Sequence, residues 1–119
     1  MENEFLKLIE TRRSCRKYLP EQITDEELNA VLRAGTFAPT GMGWQSPFIV
    51  AVQQEQMKEK LAAMNAAVRG KSGNPYYDAP TYVLVFAPTD CPFAIQDGTC
   101  VLENMMLCRP CHRTCQLLD

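Results

Sequence analysis

A short basic segment carries residue types that could bind a phosphate group. Four of the chain's twelve basic side chains lie between Arg12 and Lys17, although the formal net charge of the protein is −2. A guanidinium offers a planar pair of donors that matches phosphate oxygens, and a serine hydroxyl adds a short neutral donor. A solvent-exposed basic turn would have the same composition, so the spacing alone leaves both interpretations open. The side chains that could form the phosphate site are Arg12, Arg13, Ser14 and Arg16.

A second segment with the composition of a ligand-binding loop runs from Ala38 to Pro47 and is dense in glycine and proline. Small residues and bare backbone allow a loop to approach a flat ligand closely. An ordinary connection between a helix and a strand would use the same residues. The composition of this loop therefore also leaves a binding role and a purely structural role open.

A helix is predicted to place the basic segment at its C-terminal end. Over residues 3 to 12 the apolar side chains Phe5, Leu8 and Ile9 fall on one helical face, and Asn3 can cap the first turn. A proline at position 20 rules out a continuation of this helix far beyond the basic segment. The candidate phosphate site therefore follows directly on a helix end.

A second helix is predicted to lead into the glycine-rich loop. Thr24, followed three residues later by Glu27, is a capping-box pattern that starts a helix. Pro39 disfavours helical backbone at the residue before it, so we expect the helix to end by Ala38.

The rest of the chain predicts two strands and two further helices. Phe48 to Val52 is apolar on both faces and is expected at the centre of a sheet, and Thr81 to Ala87 predicts a second buried strand. Helices are predicted over residues 55 to 68 and from Gly98 to Leu107, and the element order indicates a layered fold of mixed α and β elements. The side chains expected to face the core from the third helix are Met57, Leu61, Met64 and Val68.

Composition and charge argue against several classes of protein. A length of 119 residues is typical of one domain, and a pI near 5.4 argues against nucleic acid as a partner. The apolar runs are too short to cross a bilayer, and the N-terminus lacks the basic start and apolar run of a signal peptide. We therefore expect a soluble, cytoplasmic protein with no nucleic-acid or membrane partner.

Five motifs in order resemble the nitroreductase family. They are R-R-S-x-R-x-Y, a helix ending in A-P-T-G, Q-x-P before the first strand, Y-Y-x-A-P-T before the second strand, and a helix containing E-N-M-M-L. The resemblance implies a nitroreductase-like α+β fold, with a central mixed sheet flanked by helices, and a homodimer with FMN at its interface. It further implies hydride transfer from NAD(P)H through FMN to nitroaromatic, quinone or similar electron-poor small molecules.

The resemblance also implies roles for individual residues. The family's contacts to the FMN phosphate and ribityl chain match Arg12, Arg13, Ser14 and Arg16. The family's loop that covers the flavin ring from the partner subunit matches Pro39, Thr40 and Gly41. Because the flavin carries the reaction, no side chain is required as a nucleophile or general acid. We therefore predict cofactor-binding residues and no catalytic residues.

The resemblance stops at Leu107, so residues 1–107 are predicted to be the N-terminal part of an FMN-binding domain whose C-terminal part is missing. Residues 108–119 form an aberrant cysteine-rich tail. One interpretation is a frameshift, since suitable codons read one base later give a family-like continuation. The other is a small metal-binding module. Close ligand spacing disfavours zinc, and the expected cytoplasmic location disfavours haem attachment, so no metal is expected. Its ligands would be Cys108, Cys111, His112 and Cys115.

The missing C-terminal part leaves a further possibility open for function. In the family, that part carries later strands and residues that contact the flavin ring. The alternative to an active oxidoreductase is therefore a non-catalytic protein that binds flavin or dimerises.

Overall fold

The computed structural model of the protein describes residues 1–108. Helices and strands follow one another in the order that the sequence predicts, which gives an α+β architecture. A short 3-10 turn, Gly41–Gly43, lies between the second helix and the first strand. The elements are α1 (Glu4–Thr11), α2 (Asp25–Thr36), β1 (Phe48–Val52), α3 (Glu55–Arg69), β2 (Tyr82–Phe86) and α4 (Ala94–Cys108).

The predicted caps of the first two helices are present. The Asn3 side chain accepts a hydrogen bond from the N–H of Leu6 at 2.8 Å. The Thr24 hydroxyl accepts from the N–H of Glu27 at 3.1 Å, and the Glu27 carboxylate accepts from the N–H of Thr24 at 2.9 Å. Helix α2 ends at Thr36, two residues before the limit that Pro39 imposes.

Removing the Thr24 cap is expected to destabilise the protein moderately. Thr24→Ala leaves the N–H of Glu27 without its acceptor and should lower the free energy of unfolding by about 1 kcal/mol. Thr24→Ser keeps the hydroxyl and should stay close to wild type. Urea denaturation followed by far-UV circular dichroism measures both variants, and equal losses would contradict a role for the hydroxyl.

Strands β1 and β2 pair in an antiparallel sheet, which has only these two strands within residues 1–108. In this part of the chain, the prediction of a central position for β1 is wrong, because two strands leave no central position. Exposure alternates only over the first four residues of β1, where Phe48 and Val50 are exposed, and Val52, which follows on the same face, is buried.

The chain divides into two compact units. The first contains Met1–Ser14, Thr24–Ile49 and the described residues from Val85 onward, so it includes α1, α2 and α4. The described part of the second contains Cys15–Ile23 and Val50–Leu84, so it includes α3.

Helix α2 packs against α4 in the first unit. Val31 and Gly35 are the buried residues of α2, and Val101 and Met105 are buried on α4. A Cβ on Gly35 would lie only 3.0 Å from the Met105 side chain, so the glycine allows the two helices to approach closely. Helix α4 starts at Ala94, four residues earlier than predicted.

The second unit has a core of aromatic and small apolar residues. Val52, Ala79 and Tyr82 are buried together, with Leu61 and Tyr76 packed against them. The rings of Tyr76 and Tyr82 stack with their centroids 4.0 Å apart. The Y-Y-x-A-P-T motif therefore supplies much of this core.

The predicted core face of α3 is wrong in three of its four positions. Leu61 is partly buried, whereas Met57, Met64 and Val68 are exposed, Val68 by 89%. The buried residue of the helix is Lys58, which is 8% exposed. Its ammonium lies 3.1 Å from Glu55, donates to a carbonyl oxygen at 3.4 Å and sits over an aromatic ring, so its apolar stem can be covered.

Candidate functional site

The basic segment begins where α1 ends, as predicted. Arg12 is the C-cap residue, and its N–H donates to the carbonyl of Ile9 at 3.4 Å. The guanidinium of Arg13 turns back toward the helix and donates to the carbonyls of Glu10 (3.0 Å) and Arg12 (2.9 Å). A guanidinium in this position satisfies carbonyl groups that a helix end leaves without intrahelical donors.

The other two arginines of the segment, Arg12 and Arg16, differ in how exposed they are. Arg12 is half-buried and Arg16 is exposed. Within residues 1–108, the guanidinium of neither forms an ion pair or hydrogen bond with another residue. Arg12, Arg13 and the exposed Ser14 belong to the first unit, whereas Arg16 belongs to the second. Both guanidinium groups have the donors that an anionic ligand requires.

The loop after α2 contains a tightly hydrogen-bonded turn, Gly41–Gly43, flanked by Thr40 and Gln45. The Thr40 hydroxyl accepts from the N–H of Gln45 at 3.0 Å, and its carbonyl accepts from the N–H of Gly43 at 3.1 Å. Met42 (φ 56°) and Gln45 (φ 51°) adopt left-handed backbone, which costs a non-glycine residue about 1–2 kcal/mol. These hydrogen bonds help to hold the turn in an otherwise unfavourable conformation.

Residues at and just before the start of α4 contact this turn. The N–H of Gly41 donates to Asp97 Oδ1 at 2.9 Å. A Cβ on Gly41 would lie 2.4 Å from the ring of Phe93, and the rings of Trp44 and Phe93 meet edge to face with centroids 5.6 Å apart. The glycine is therefore required at position 41 by a close contact.

Asp97 and Phe93 are partners of the loop that the sequence does not predict. The last helix is predicted to begin at Gly98, which leaves both residues outside any element. An acidic residue is favourable in the first turn of a helix, so Asp97 was a signal for the earlier start that the structure shows.

A cavity of about 380 Å³ lies beside the turn in the first unit. Its lining is mainly apolar, with Ala38, Phe48 and Val101 among the residues, and Thr40 and Gln45 supply polar groups. Small-molecule sites commonly combine this size range with apolar walls and a few polar groups. Of the loop residues predicted to contact a cofactor, Thr40 lines this cavity, Gly41 is held by α4, and Pro39 is exposed.

The sequence model of the Nitroreductase family matches residues 9–108. The chain therefore belongs to the nitroreductase family.

Solved structures with the same fold include two family members with bound FMN. A nitroreductase from Bacteroides fragilis NCTC 9343 is 34% identical with a TM-score of 0.78, and the match covers 90% of this chain and 64% of that one. A nitroreductase from Desulfitobacterium hafniense DCB-2 is 29% identical with a TM-score of 0.80, covering 91% and 65%. The predicted nitroreductase-like fold is confirmed.

A curated relative is the FMN reductase [NAD(P)H] of Bacillus subtilis (strain 168). It is 29% identical over 86 residues, which are 71% of this chain and 32% of the relative. The chain thus spans less than two thirds of the length of each of these three proteins.

The predictions for the cysteine-rich tail lie almost wholly outside the described residues. Cys108 ends α4, and its thiol donates to the carbonyl of Ala30 at 3.4 Å. The frameshift interpretation and the ligands Cys111, His112 and Cys115 concern residues beyond position 108. Within residues 1–108, no three potential metal ligands cluster together, and no helix is long and apolar enough to span a membrane.

Proposed function

We propose that this protein is an FMN-dependent NAD(P)H oxidoreductase of the nitroreductase type. The observation that carries the proposal is the match of 90% of the chain to a nitroreductase structure with bound FMN. The name of the Bacillus subtilis relative supports NAD(P)H as the electron donor. Residues 1–107 would be the N-terminal part of the FMN-binding domain.

The residues of the first unit fit FMN by their chemistry. Arg12, Arg13 and Ser14 would hold the phosphate, since guanidinium and hydroxyl donors suit its charged oxygens. Arg16, which belongs to the second unit, is proposed as a phosphate contact from the sequence alone. Pro39, Thr40 and Gly41 would cover the flavin ring from the partner subunit of a homodimer.

Bound FMN supplies the electron-transfer chemistry, by accepting hydride from NAD(P)H and passing electrons to an acceptor. The chain's own residues bind and orient the cofactor. The proposed acceptors are nitroaromatic compounds, quinones and similar electron-poor small molecules. The homodimer with FMN at its interface and the cytoplasmic location remain predictions from the sequence.

One observation favours a second candidate function, a non-catalytic protein that binds flavin or dimerises. Large apolar side chains are exposed on several elements, among them Phe5 on α1, Phe48 on β1 and Val68 on α3. Exposed apolar surface of this kind marks interaction sites on proteins. Dimerisation would cover part of it without any requirement for turnover.

Flavin content and turnover separate the two candidates. We expect the purified protein to bind FMN with quenching of flavin fluorescence, and to oxidise NADH or NADPH when a quinone is present. Sedimentation reports the oligomeric state of the same sample. FMN binding without turnover would support the second candidate, and a protein that binds no FMN would contradict the proposed cofactor.

The phosphate site is tested by single substitutions in the basic segment. Arg12→Ala and Arg16→Ala should each weaken FMN binding about 10- to 150-fold, the equivalent of about 1.5–3 kcal/mol for a hydrogen bond to a charged group. Arg69→Ala is the matched control, because it removes an exposed arginine outside the segment. If Arg12→Ala and Arg16→Ala bind FMN like the control, the segment is a solvated turn.

A further inference from the structure

Asp97 is an unusual residue in the first unit, because its carboxyl group is buried and only partly hydrogen-bonded. The residue is 3% exposed. Its Oδ1 accepts the N–H of Gly41 at 2.9 Å, and its Oδ2 has no hydrogen-bond partner within residues 1–108. Burial of a carboxyl group with an unpaired oxygen is unfavourable for folding. The residue at this position is therefore poorly explained by stability alone.

The contact made by Asp97 is directed at the turn that precedes β1. Asp97 lies one helical turn after Phe93, and its N–H donates to the Phe93 carbonyl at 2.8 Å. The Phe93 ring blocks any Cβ at position 41 and packs against Trp44. Phe93 restricts the turn by shape, while Asp97 provides its hydrogen-bond acceptor.

The turn depends on such an anchor because its backbone is strained. Met42 and Gln45 both have left-handed conformations, which persist only where surrounding contacts determine them. Without the Asp97 acceptor, the N–H of Gly41 would lose its partner in a partly buried position. The expected response is a shift of residues 40–45 toward less strained backbone.

We propose that Asp97 is a positioning residue of the cofactor site, which acts on the flavin by fixing Gly41 and the turn that follows it. This role rests on the FMN site proposed above, in which the loop with Thr40 and Gly41 covers the flavin ring across the homodimer interface. Asp97 itself does not need to touch the cofactor. The role also provides a reason for the buried carboxyl group.

Trp44 reports the turn directly, since it is the single tryptophan of the chain and packs on Phe93. Asp97→Asn keeps an oxygen acceptor, whereas Asp97→Leu keeps the branched shape without one. In the absence of FMN, we expect the leucine variant to show red-shifted Trp44 emission and increased quenching by acrylamide. The asparagine variant should resemble wild type, and so should Glu103→Gln, which changes an exposed acid on the same helix.

FMN titration of the same proteins measures the effect on the site. Asp97→Leu should weaken FMN binding about tenfold or more, and Asp97→Asn should stay within about threefold of wild type, on the scale of one hydrogen bond to a charged acceptor. If wild type binds FMN and the leucine variant binds it equally well, the positioning role is overturned and the proposed function stands. If wild type binds no FMN, both are overturned.

Amide exchange in the wild-type protein tests the anchor without any substitution, in case the leucine variant does not fold. The N–H of Gly41 should exchange slowly, because it is paired with Asp97. The N–H of Met42, for which no acceptor is found within residues 1–108, serves as the comparison. Exchange of Gly41 as fast as that of Met42 would overturn the proposal.

Discussion

Tyr82→Ala is expected to lower the free energy of unfolding by about 3–5 kcal/mol, the usual cost of truncating a buried aromatic residue. Tyr82 is 4% exposed and belongs to the buried cluster of the second unit, with Val52 and Ala79. Its ring stacks on Tyr76, so its removal leaves a void and a second ring without its partner. Urea denaturation followed by far-UV circular dichroism measures the loss.

Tyr82→Phe is the matched control because it keeps the ring and removes only the hydroxyl. That hydroxyl accepts a hydrogen bond from Asn74 Nδ2 at 3.2 Å, so its loss should cost about 0.5–1.5 kcal/mol. Because the ring contributes mainly by packing, we expect a clearly larger loss in the free energy of unfolding for the alanine variant than for the phenylalanine variant. Equal losses for phenylalanine and alanine would contradict the assigned core.

The features predicted best from the sequence are those that depend on neighbouring residues. The cap at Asn3 and the capping box of Thr24 and Glu27 involve side chains that reach only three positions along the chain. Pro39 likewise limits the residue immediately before it. Such signals are complete in the local sequence, and the structure confirms them.

The face that a helix buries depends on tertiary contacts, and here the sequence was misleading. Met57 and Val68 are apolar but exposed. Lys58 can be buried because its ammonium forms an ion pair with Glu55 and lies over an aromatic ring. A lysine stem can cover apolar surface as long as its charged head is satisfied. This arrangement requires Tyr82, which is 24 positions further along the chain, so hydrophobic periodicity within α3 could not predict it.

In the candidate site, too, some features could be predicted from the sequence, while another depends on a contact between distant residues. The basic segment and the glycine-rich loop were recognised from residue types and from their order in the family, and their roles in FMN binding stay predictions. The hydrogen bond from Gly41 to Asp97 joins residues 56 positions apart, and nothing in the spacing of either residue indicates the other. This hydrogen bond becomes evident only in the structure, where α4 starts at Ala94 and therefore includes Asp97 in its first turn.

Met105→Ala is expected to lower the free energy of unfolding by about 2–5 kcal/mol, because it creates a cavity where α4 meets α2. Met105 is 5% exposed, whereas its neighbour Met106 is 41% exposed. The adjacent substitution Met106→Ala removes the same atoms from the surface and should change stability by no more than about 0.5 kcal/mol. Similar losses for both variants in urea denaturation would contradict the packing of α4 on α2.

The contact between Met105 and Gly35 can be isolated by a double-mutant cycle. A Cβ on Gly35 would lie 3.0 Å from Met105 Cγ, so Gly35→Ala should be destabilising in wild type by about 1–3 kcal/mol. In the Met105→Ala background the contact with Met105 is relieved, while the closer contact with Ile49 Cδ1, 2.7 Å from the new Cβ, persists. The cost of the substitution should therefore fall by about 0.5–3 kcal/mol without vanishing. The gain in helix propensity from glycine to alanine is the same in both backgrounds and cancels. Additive losses would show that the two helices do not meet at these residues, whereas coupling of this sign would place the Met105 side chain against Gly35.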